Sequence, residues 1–319
     1  MLRFLLRRLA FGVIVMWLVA TAVFAMYFIA PHDVARTLAG RQASVATIAA
    51  IRHNLGLDRP VLAQYGSFLW KALHGNLGYS YTNSEPVTKL IGQDLPVTAS
   101  LVIGGAVLWL VIGVSTGVLA STHPRSATDR IATAFALFFY SMPTFLLGEV
   151  LLLVLFFRLH LAGIDWLPGA GYVPLTQNPF EWARYLILPW FTIALVTAAT
   201  YVRLTRGAML DVLGEDYIRT ARAKGLSRRR VIYRHGLRAA LTPVVTQFGI
   251  DVGTLLGGAI VTENVFGLPG LGQLVINSLS KQDLPTIIGL VLLASAFVVV
   301  ANIVVDLVYS VLDARVRLS

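Results

Sequence analysis

Two carboxylates, Glu149 and Asp251, lie well inside long apolar stretches. An unpaired carboxylate in hydrocarbon is costly, so each must face protein or a water-filled cavity. Two chemistries fit such a group: a contact for the ammonium of a substrate, or one step of a proton path. The alternative is a protonated or hydrogen-bonded structural acid. For Asp251, which lies in a glycine-rich segment, the functional and structural interpretations have nearly equal weight.

Other residue patterns that carry chemistry are missing from the sequence. The chain has no cysteine, which excludes disulfides, thiol nucleophiles and Cys-ligated metals. No two of its six histidines lie three to five residues apart, and no phosphate-binding loop of the form G-x-x-x-x-G-K-[ST] occurs. The glycine-rich segment 267–272 lacks the strand context of a dinucleotide site and is interpreted as a tight turn or re-entrant bend. We therefore expect no enzymatic activity, metal site, cofactor or nucleotide site in this chain.

The composition is that of an integral membrane protein. Hydrophobic residues make up 56% of the 319 residues, charged residues only 13%, and the mean hydropathy is +0.73. About 20 apolar residues are needed to cross the hydrocarbon core. Six stretches meet this length and predict an all-α fold of six transmembrane helices: residues 9–30, 97–120, 131–157, 185–202, 239–262 and 284–305.

The distribution of basic residues predicts the orientation. With the N-terminus in the cytoplasm, the inside segments hold 17 Lys and Arg residues and the short outside segments hold three. This asymmetry places both termini inside. The first apolar stretch has 22 residues, too long for the core of a cleaved signal peptide. We divide the chain into an N-terminus with the first span (1–30), an outside segment (31–96), a transmembrane core (97–312) and a cytoplasmic tail (313–319).

The outside segment, residues 31–96, contains two predicted helices. Residues 44–55 have Ser44 as a possible N-cap and Gly56 as the stop. Residues 61–73 form an amphipathic pattern with Leu62, Tyr65, Leu69 and Leu73 on one face. These faces favour a small packed domain over a solvated connector.

The most informative segment is the cytoplasmic loop 203–238, whose ten basic and three acidic residues give a net charge of +7. Residues 215–224 predict a helix that ends at Gly225, and Ser227 can cap a second helix. Such a loop could bind anionic lipid, nucleic acid or a cytoplasmic protein. Nucleic acid is disfavoured because the loop is tethered to the membrane at both ends. The two short helices favour docking of a protein.

Small residues are spaced four apart in the second and fifth spans. They occur as Gly113 and Gly117, and as the series 249, 253 and 257. This spacing lets another helix backbone come close. The same faces could instead line or hinge a path, and the spacing alone does not separate the two interpretations.

The loop resembles the EAA loop of ABC importer permeases. Residues 216–227 and 230–238 are similar to the form found in the dipeptide, oligopeptide and nickel permeases. The likeness continues in residues 1–8, 55–60, 75–78, 95–100, 263–272 and 283–285, and the long first outside segment is typical of the B-type subunit. Two features depart from the general motif: only Ala221 of its first three positions matches, and its later proline is delayed to Pro243.

The resemblance implies a type I importer permease fold with a small extracytoplasmic helical insertion between helices 1 and 2. The chain would be the permease subunit of an ATP-driven, binding-protein-dependent importer in the bacterial inner membrane, with dipeptides or oligopeptides as the expected substrate. Nickel chelates and glutathione stay open. It would pair with a homologous permease, two ATPase subunits (or one fused ATPase) that hold ATP and magnesium, an extracytoplasmic binding protein and membrane lipids, with no nucleic acid.

The resemblance and the patterns above give three sets of candidate site residues. Contacts to the ATPase are expected from Asp216, Tyr217, Arg219, Ala221, Arg222, Lys224, Gly225 and Ser227. A translocation path is a hypothesis for Asp251, Gly253 and Gly257, and an extracytoplasmic gate for Phe266, Pro269 and Gly270. The competing interpretations are a self-sufficient secondary carrier or channel that uses Glu149 and Asp251, and a membrane scaffold without transport.

Overall fold

The computed structural model describes residues 2–26, 36, 44–54, 56, 58–256 and 259–312. Within these residues the regular secondary structure is helical apart from one short hairpin. The helices and strands follow in chain order: α1 (Leu2–Phe24), α2 (Val45–Asn54), α3 (Val61–Leu73), β1 (Tyr79–Ser80), β2 (Glu85–Pro86), α4 (Val87–Thr122), α5 (Ala127–Tyr140), α6 (Thr144–Leu161), α7 (Pro179–Gly214), α8 (Asp216–Ala223), α9 (Arg228–Leu256), α10 (Ile260–Val265), α11 (Leu271–Ser280) and α12 (Leu284–Leu312).

Six of these helices are long and apolar enough to cross a membrane. They are α1, α4, α6, α7, α9 and α12, which confirms the predicted number of spans. Many large apolar side chains on them face outward, such as Ile103, Val107 and Val111 of α4. Such a surface suits lipid or a partner subunit rather than water.

The predicted third span is wrong in detail. Residues 131–157 were expected to form one helix, but the helix breaks at residues 141–143 between α5 and α6. Pro143 has no backbone N–H and takes the N-cap position of α6 with extended backbone. Of the two pieces, only α6 has the length and hydropathy of a span.

The core is a parallel pair formed by α4 and α7, each of which has 36 residues. Small residues bring their backbones together: a Cβ atom at Gly113 would lie 2.4 Å from Cβ of Tyr201, and one at Gly117 would lie 2.9 Å from the carbonyl oxygen of Val202. The glycine spacing in α4 therefore serves close helix packing. Trp109 of α4 is fully buried in this core.

The two ends of the bundle differ. The loop end carries residues 123–126, helix α8 and the start of α9. The insertion end carries α3, the hairpin, α10 and α11. At the insertion end, Ser44 caps α2 by accepting a hydrogen bond from the backbone nitrogen of Thr47, as predicted. Of the predicted apolar face of α3, Leu69 packs against α1 and α12 together with Phe68, and Tyr65 contacts Phe24 of α1. The two end residues of that face, Leu62 and Leu73, are exposed.

Candidate functional site

Helix α8 lies at the loop end, held between two long helices. α7 continues to Gly214 and α9 begins at Arg228, so the predicted loop 203–238 consists of the two helix ends with α8 between them. Gly225 ends the α8 segment with a φ of +77°, which only glycine adopts without strain. Ser227 takes the N-cap position of α9, but its side chain makes no capping hydrogen bond.

A small apolar cluster fixes α8 to the rest of the bundle. Ile218 and Ala221 are buried against Val231 of α9, with Leu213 and Leu226 packed beside them. This cluster holds one face of α8 in place. The opposite face is left to solvent.

The predicted ATPase-contact residues differ in how far their side chains are exposed. Ala221 is only 8% exposed and lies underneath the helix, whereas Tyr217 is 46% exposed. Tyr217 is therefore not buried together with Ile218 and Ala221. The other exposed members of the set are Asp216, Arg219, Arg222, Lys224, Gly225 and Ser227. The exposed face of α8 is thus an amphipathic, basic surface on a well-packed base.

The turn before α5 is tied to α7 by an ion pair. Arg206 Nε lies 2.6 Å from Asp129 Oδ1, and Arg206 Nη2 lies 2.9 Å from Asp129 Oδ2. The backbone nitrogen of Arg125 also donates to Asp129, at 2.9 Å. The hydrogen bond from Arg206, aided by the one from the Arg125 backbone, lowers the pKa of Asp129 to about 2. The carboxylate is therefore ionised at any physiological pH.

Asp251 is a hydrogen-bonded acid between two spans. Its Oδ2 accepts from the Tyr201 hydroxyl of α7 at 2.8 Å, and its Oδ1 accepts from Gln247 Nε2 at 2.9 Å. Tyr201 is fully buried. Both oxygens thus have protein partners, which favours the structural interpretation of this acid.

Glu149 differs from Asp251 because its side chain is exposed on the surface of α6. Its neighbours Phe145, Leu146 and Leu153 are large, apolar and exposed as well. A carboxylate at this depth is not expected to face lipid. We therefore expect other protein or water to cover this face of α6 in the membrane.

The glycines of α9 pack against the last helix. A Cβ atom at Gly249 would lie 1.8 Å from Val305 Cγ2, and one at Gly253 would lie 3.0 Å from Ala301 Cβ. Gly253 is buried in this contact, and a place for it on the translocation path stays a prediction. Gly257 lies outside the described residues.

At the insertion end, the candidate gate segment is organised around Glu263. Its carboxylate is fully buried and accepts hydrogen bonds from Thr98 Oγ1 at 2.6 Å and from the backbone nitrogens of Gly272 at 2.7 Å and Gln273 at 3.1 Å. Burial raises the pKa of Glu263 even though these three donors oppose the shift. The carboxylate caps the N-terminus of α11 and joins it to α4.

The three candidate gate residues have different surroundings. Phe266 is 2% exposed and belongs to the main core, so it is not a free side chain at an opening. Gly270 is buried, and a Cβ atom there would lie 2.5 Å from the Glu263 carboxylate. Pro269 is exposed. The segment is thus a packed support for α11 in the conformation described.

A second buried carboxylate, Asp283, lies between the end of α11 and the start of α12. It accepts hydrogen bonds from the Ser80 hydroxyl, from the backbone nitrogen of Tyr81 at 3.2 Å and from Thr286 Oγ1 at 2.9 Å. These contacts join the hairpin to the start of α12. The sequence motifs contained Thr98, Glu263 and Asp283 but gave no sign that the first two meet.

A cleft of about 740 Å³ opens beside this support, between α3, the hairpin and the start of α12. Its lining includes Arg59, Lys71, His74 and the rings of Tyr79 and Tyr81. Sequence reasoning did not find it because its walls come from three separate segments.

The chain is similar in sequence to known membrane proteins. Residues 110–318 match the family described as binding-protein-dependent transport system inner membrane component, and residues 1–102 match the N-terminal part of such membrane components. A putative peptide transport system permease protein of Brucella abortus is 39% identical over 98% of both chains. The dipeptide transport system permease protein DppB of Escherichia coli K12 is 37% identical over 99% of both chains.

The fold also matches a solved structure. An inward-facing structure of the MetNI methionine ABC transporter aligns with a TM-score of 0.56 and 19% identity, covering 70% of this chain and 96% of that one. At this identity the likeness concerns the fold alone, which is that of a type I ABC importer permease. From its two family matches and its full-length relatives, this chain belongs to the family of binding-protein-dependent transport system inner membrane components, multi-pass proteins of the inner membrane.

Proposed function

We propose that this chain is the permease subunit of an ATP-driven importer of dipeptides or oligopeptides. The observation that carries the proposal is helix α8, a basic and exposed helix on a buried base, in a chain of this family. The peptide substrate is supported by the names of its full-length relatives. Selection among peptides, nickel chelates and glutathione then falls mainly to an extracytoplasmic binding protein.

Helix α8 is the proposed contact for the ATPase subunits. Tyr217, Arg219, Arg222 and Lys224 would touch the ATPase directly, because their side chains are exposed on one compact helix. Ala221 would act from beneath, by letting α8 lie close to α9. ATP and magnesium would be held by the ATPase subunits, and their closure would push on α8.

A second, homologous permease would complete the translocation path. The face of α6 that carries Glu149 is a candidate for this contact, because it combines exposed apolar side chains with an acid that must avoid lipid. Asp251 and the segment with Phe266, Pro269 and Gly270 would act as supports of the path and the gate rather than as their lining. The loop end would face the cytoplasm, which places both termini there.

The competing hypothesis is a self-sufficient carrier or channel driven by a gradient through Glu149 and Asp251. Asp251 gives it little support, because both of its carboxylate oxygens already accept hydrogen bonds from protein. The importer hypothesis requires no proton step on either acid.

Purification from the native membrane separates the two hypotheses. The tagged chain is solubilised in mild detergents and scored for ATPase subunits, a second permease and vanadate-sensitive ATP hydrolysis. We expect all three with the native chain and with Glu149→Gln. Recovery of the intact chain alone, without hydrolysis, in several detergents would contradict the importer and favour the carrier.

A further inference from the structure

Two arginines, one before and one after α8 in the chain, contact the same turn of the bundle. The inner turn, residues 122–129, joins the end of α4 to the start of α5. Arg206 contacts it from α7, before α8 in the chain, and Arg228 contacts it from α9, after α8. The loop with α8 is therefore attached to the inner turn at both of its ends.

The contact through Arg206 is a stable ion pair. Its partner Asp129 is 7% exposed at the side chain, and both carboxylate oxygens are engaged by the guanidinium. Paired donors on a partly buried carboxylate form a strong, directional contact. This contact fixes the inner turn to the last turns of α7.

The contact through Arg228 is made to the end of a membrane-spanning helix. One nitrogen, Arg228 Nη2, lies 3.1 Å from the carbonyl oxygen of Thr122 and 3.3 Å from His123 Nε2. Thr122 is the last residue of α4, whose final carbonyl groups have no partner within the helix. A cation at this position also complements the helix dipole.

The hydrogen-bond donors and acceptors around Arg228 fit a single tautomer of His123. A guanidinium only donates, so His123 Nε2 accepts and His123 Nδ1 carries the hydrogen. That Nδ1 lies 3.2 Å from Thr122 Oγ1, whose own hydrogen goes to the carbonyl oxygen of Leu119 at 3.0 Å. Arg228 thus joins a chain of hydrogen bonds that continues into the last turn of α4.

The same contact is not made by the neighbouring arginines. Arg229 and Arg230 are exposed and make no hydrogen bond or ion pair with the residues that the structure describes. Arg228 also lies three residues before Val231, which is buried under α8. Its position relative to α8 is therefore fixed by the apolar cluster.

We propose that Arg228 is a positioning residue that makes the inner turn move together with α8, so that a push on α8 is transmitted to α4 as well as to α7 and α9. The inference rests on the proposed function, because it assumes that an ATPase pushes on α8. It predicts that the distance between the inner turn and α8 is the same before and after the ATPase closes. Without Arg228, α8 would move while the end of α4 lags behind.

Distance measurement tests this directly. The chain has no cysteine, so spin labels at Ala127→Cys and Ala223→Cys report only this distance when the other subunits carry no reactive cysteine. The whole complex is measured by pulsed EPR without nucleotide and after trapping with ATP and vanadate. We expect one unchanged distance in the labelled parent and in Arg229→Ala, and a nucleotide-dependent second distance in Arg228→Ala. A parent distance that changes on trapping, or an Arg228→Ala variant identical to the parent, would overturn the proposal.

Transport stoichiometry gives the second measurement. The measured quantity is the amount of radiolabelled dipeptide taken up by proteoliposomes per ATP hydrolysed. We expect Arg228→Ala to lower this ratio by about fivefold, because the loss of one hydrogen bond changes an equilibrium constant by about that factor. Arg229→Ala removes the same charge and should keep the parent ratio. Adding His123→Ala to Arg228→Ala should change nothing further, since the contact is already lost.

An unchanged ratio in Arg228→Ala contradicts the proposal, whereas a parent chain that recruits no ATPase contradicts the proposed function itself.

Discussion

The Oε2 atom of Glu263 lies 2.7 Å from the backbone nitrogen of Gly272, at the first turn of α11. The same oxygen accepts from Gln273, and the other oxygen accepts from Thr98 on α4. Thr98 in turn accepts from the backbone nitrogen of Leu271. One buried carboxylate and one hydroxyl thus satisfy three orphan donors of a helix and join that helix to the core.

Replacement of Glu263 by glutamine is expected to destabilise the protein by about 1–3 kcal/mol, because an amide offers one acceptor where the carboxylate offers two. Unfolding of the purified chain in detergent at pH 7 measures this. Glu85→Gln is the matched control, since Glu85 makes only an exposed ion pair with Lys89. Equal loss of stability in both variants would contradict the capping role.

The pH dependence of unfolding carries a second signature of Glu263. Burial raises the pKa of this acid in the folded protein above its ordinary value of 4.5. The folded state therefore binds more protons than the unfolded state between 4.5 and the raised pKa, and stability falls as pH rises through that window. The fall should be smaller in Glu263→Gln than in the parent when both are unfolded at a series of pH values from 4 upward. An identical pH profile would show that Glu263 titrates normally.

Gly272→Ala is expected to be more harmful than its small size suggests. The new Cβ atom would lie 2.6 Å from Cα of Ile260 and 2.9 Å from the Glu263 carboxylate, and backbone atoms cannot move aside easily. We expect a loss of about 1–3 kcal/mol from overpacking. Gly66→Ala, on the exposed helix α3 with no atom within 4 Å of the new Cβ, should stabilise slightly. Thermal unfolding in detergent compares the two, and equal melting temperatures would disprove the crowding.

The six spans were predictable from the sequence because a run of about 20 apolar residues has few other uses. Their ends were not, because α4 and α7 continue through polar residues such as Lys89 and Asp211 as part of a packed pair. The break before α6 was missed because Pro143 lies in an otherwise continuous apolar run.

The site was predictable only where its residues are local in sequence. Helix α8 and its end at Gly225 were both predicted, because they depend on residues that are adjacent in the sequence. Thr98 and Glu263 are 165 residues apart, and Asp129 and Arg206 are 77 apart, so no spacing rule joins them. The burial of α8 residues also needed the fold, since Tyr217 is exposed whereas Ala221, four residues further on, is buried.

Asp251 provides a test between a structural acid and a transport acid. Asp251→Asn keeps one acceptor for the Tyr201 hydroxyl or for Gln247, whereas Asp251→Ala leaves the buried hydroxyl without a partner. We expect Asp251→Ala to lower stability by about 1–3 kcal/mol and Asp251→Asn to cost less. Tyr201→Phe combined with Asp251→Ala should then be less than additive. Dipeptide uptake that vanishes in a stable Asp251→Asn protein would instead assign this acid to the transport path.

Substitution of an exposed and of a buried residue of α8 should affect ATPase binding in different ways. Tyr217→Ala removes an exposed ring from a folded helix, so the chain should keep its melting temperature while it recovers several-fold less ATPase in a pull-down. Ala221→Glu places a carboxylate among Ile218 and Val231, which should loosen the whole segment. Limited proteolysis within residues 215–227 distinguishes them: faster cleavage is expected in Ala221→Glu and unchanged cleavage in Tyr217→Ala. Full ATPase recovery in Tyr217→Ala would contradict a contact through this ring, the one aromatic side chain of α8.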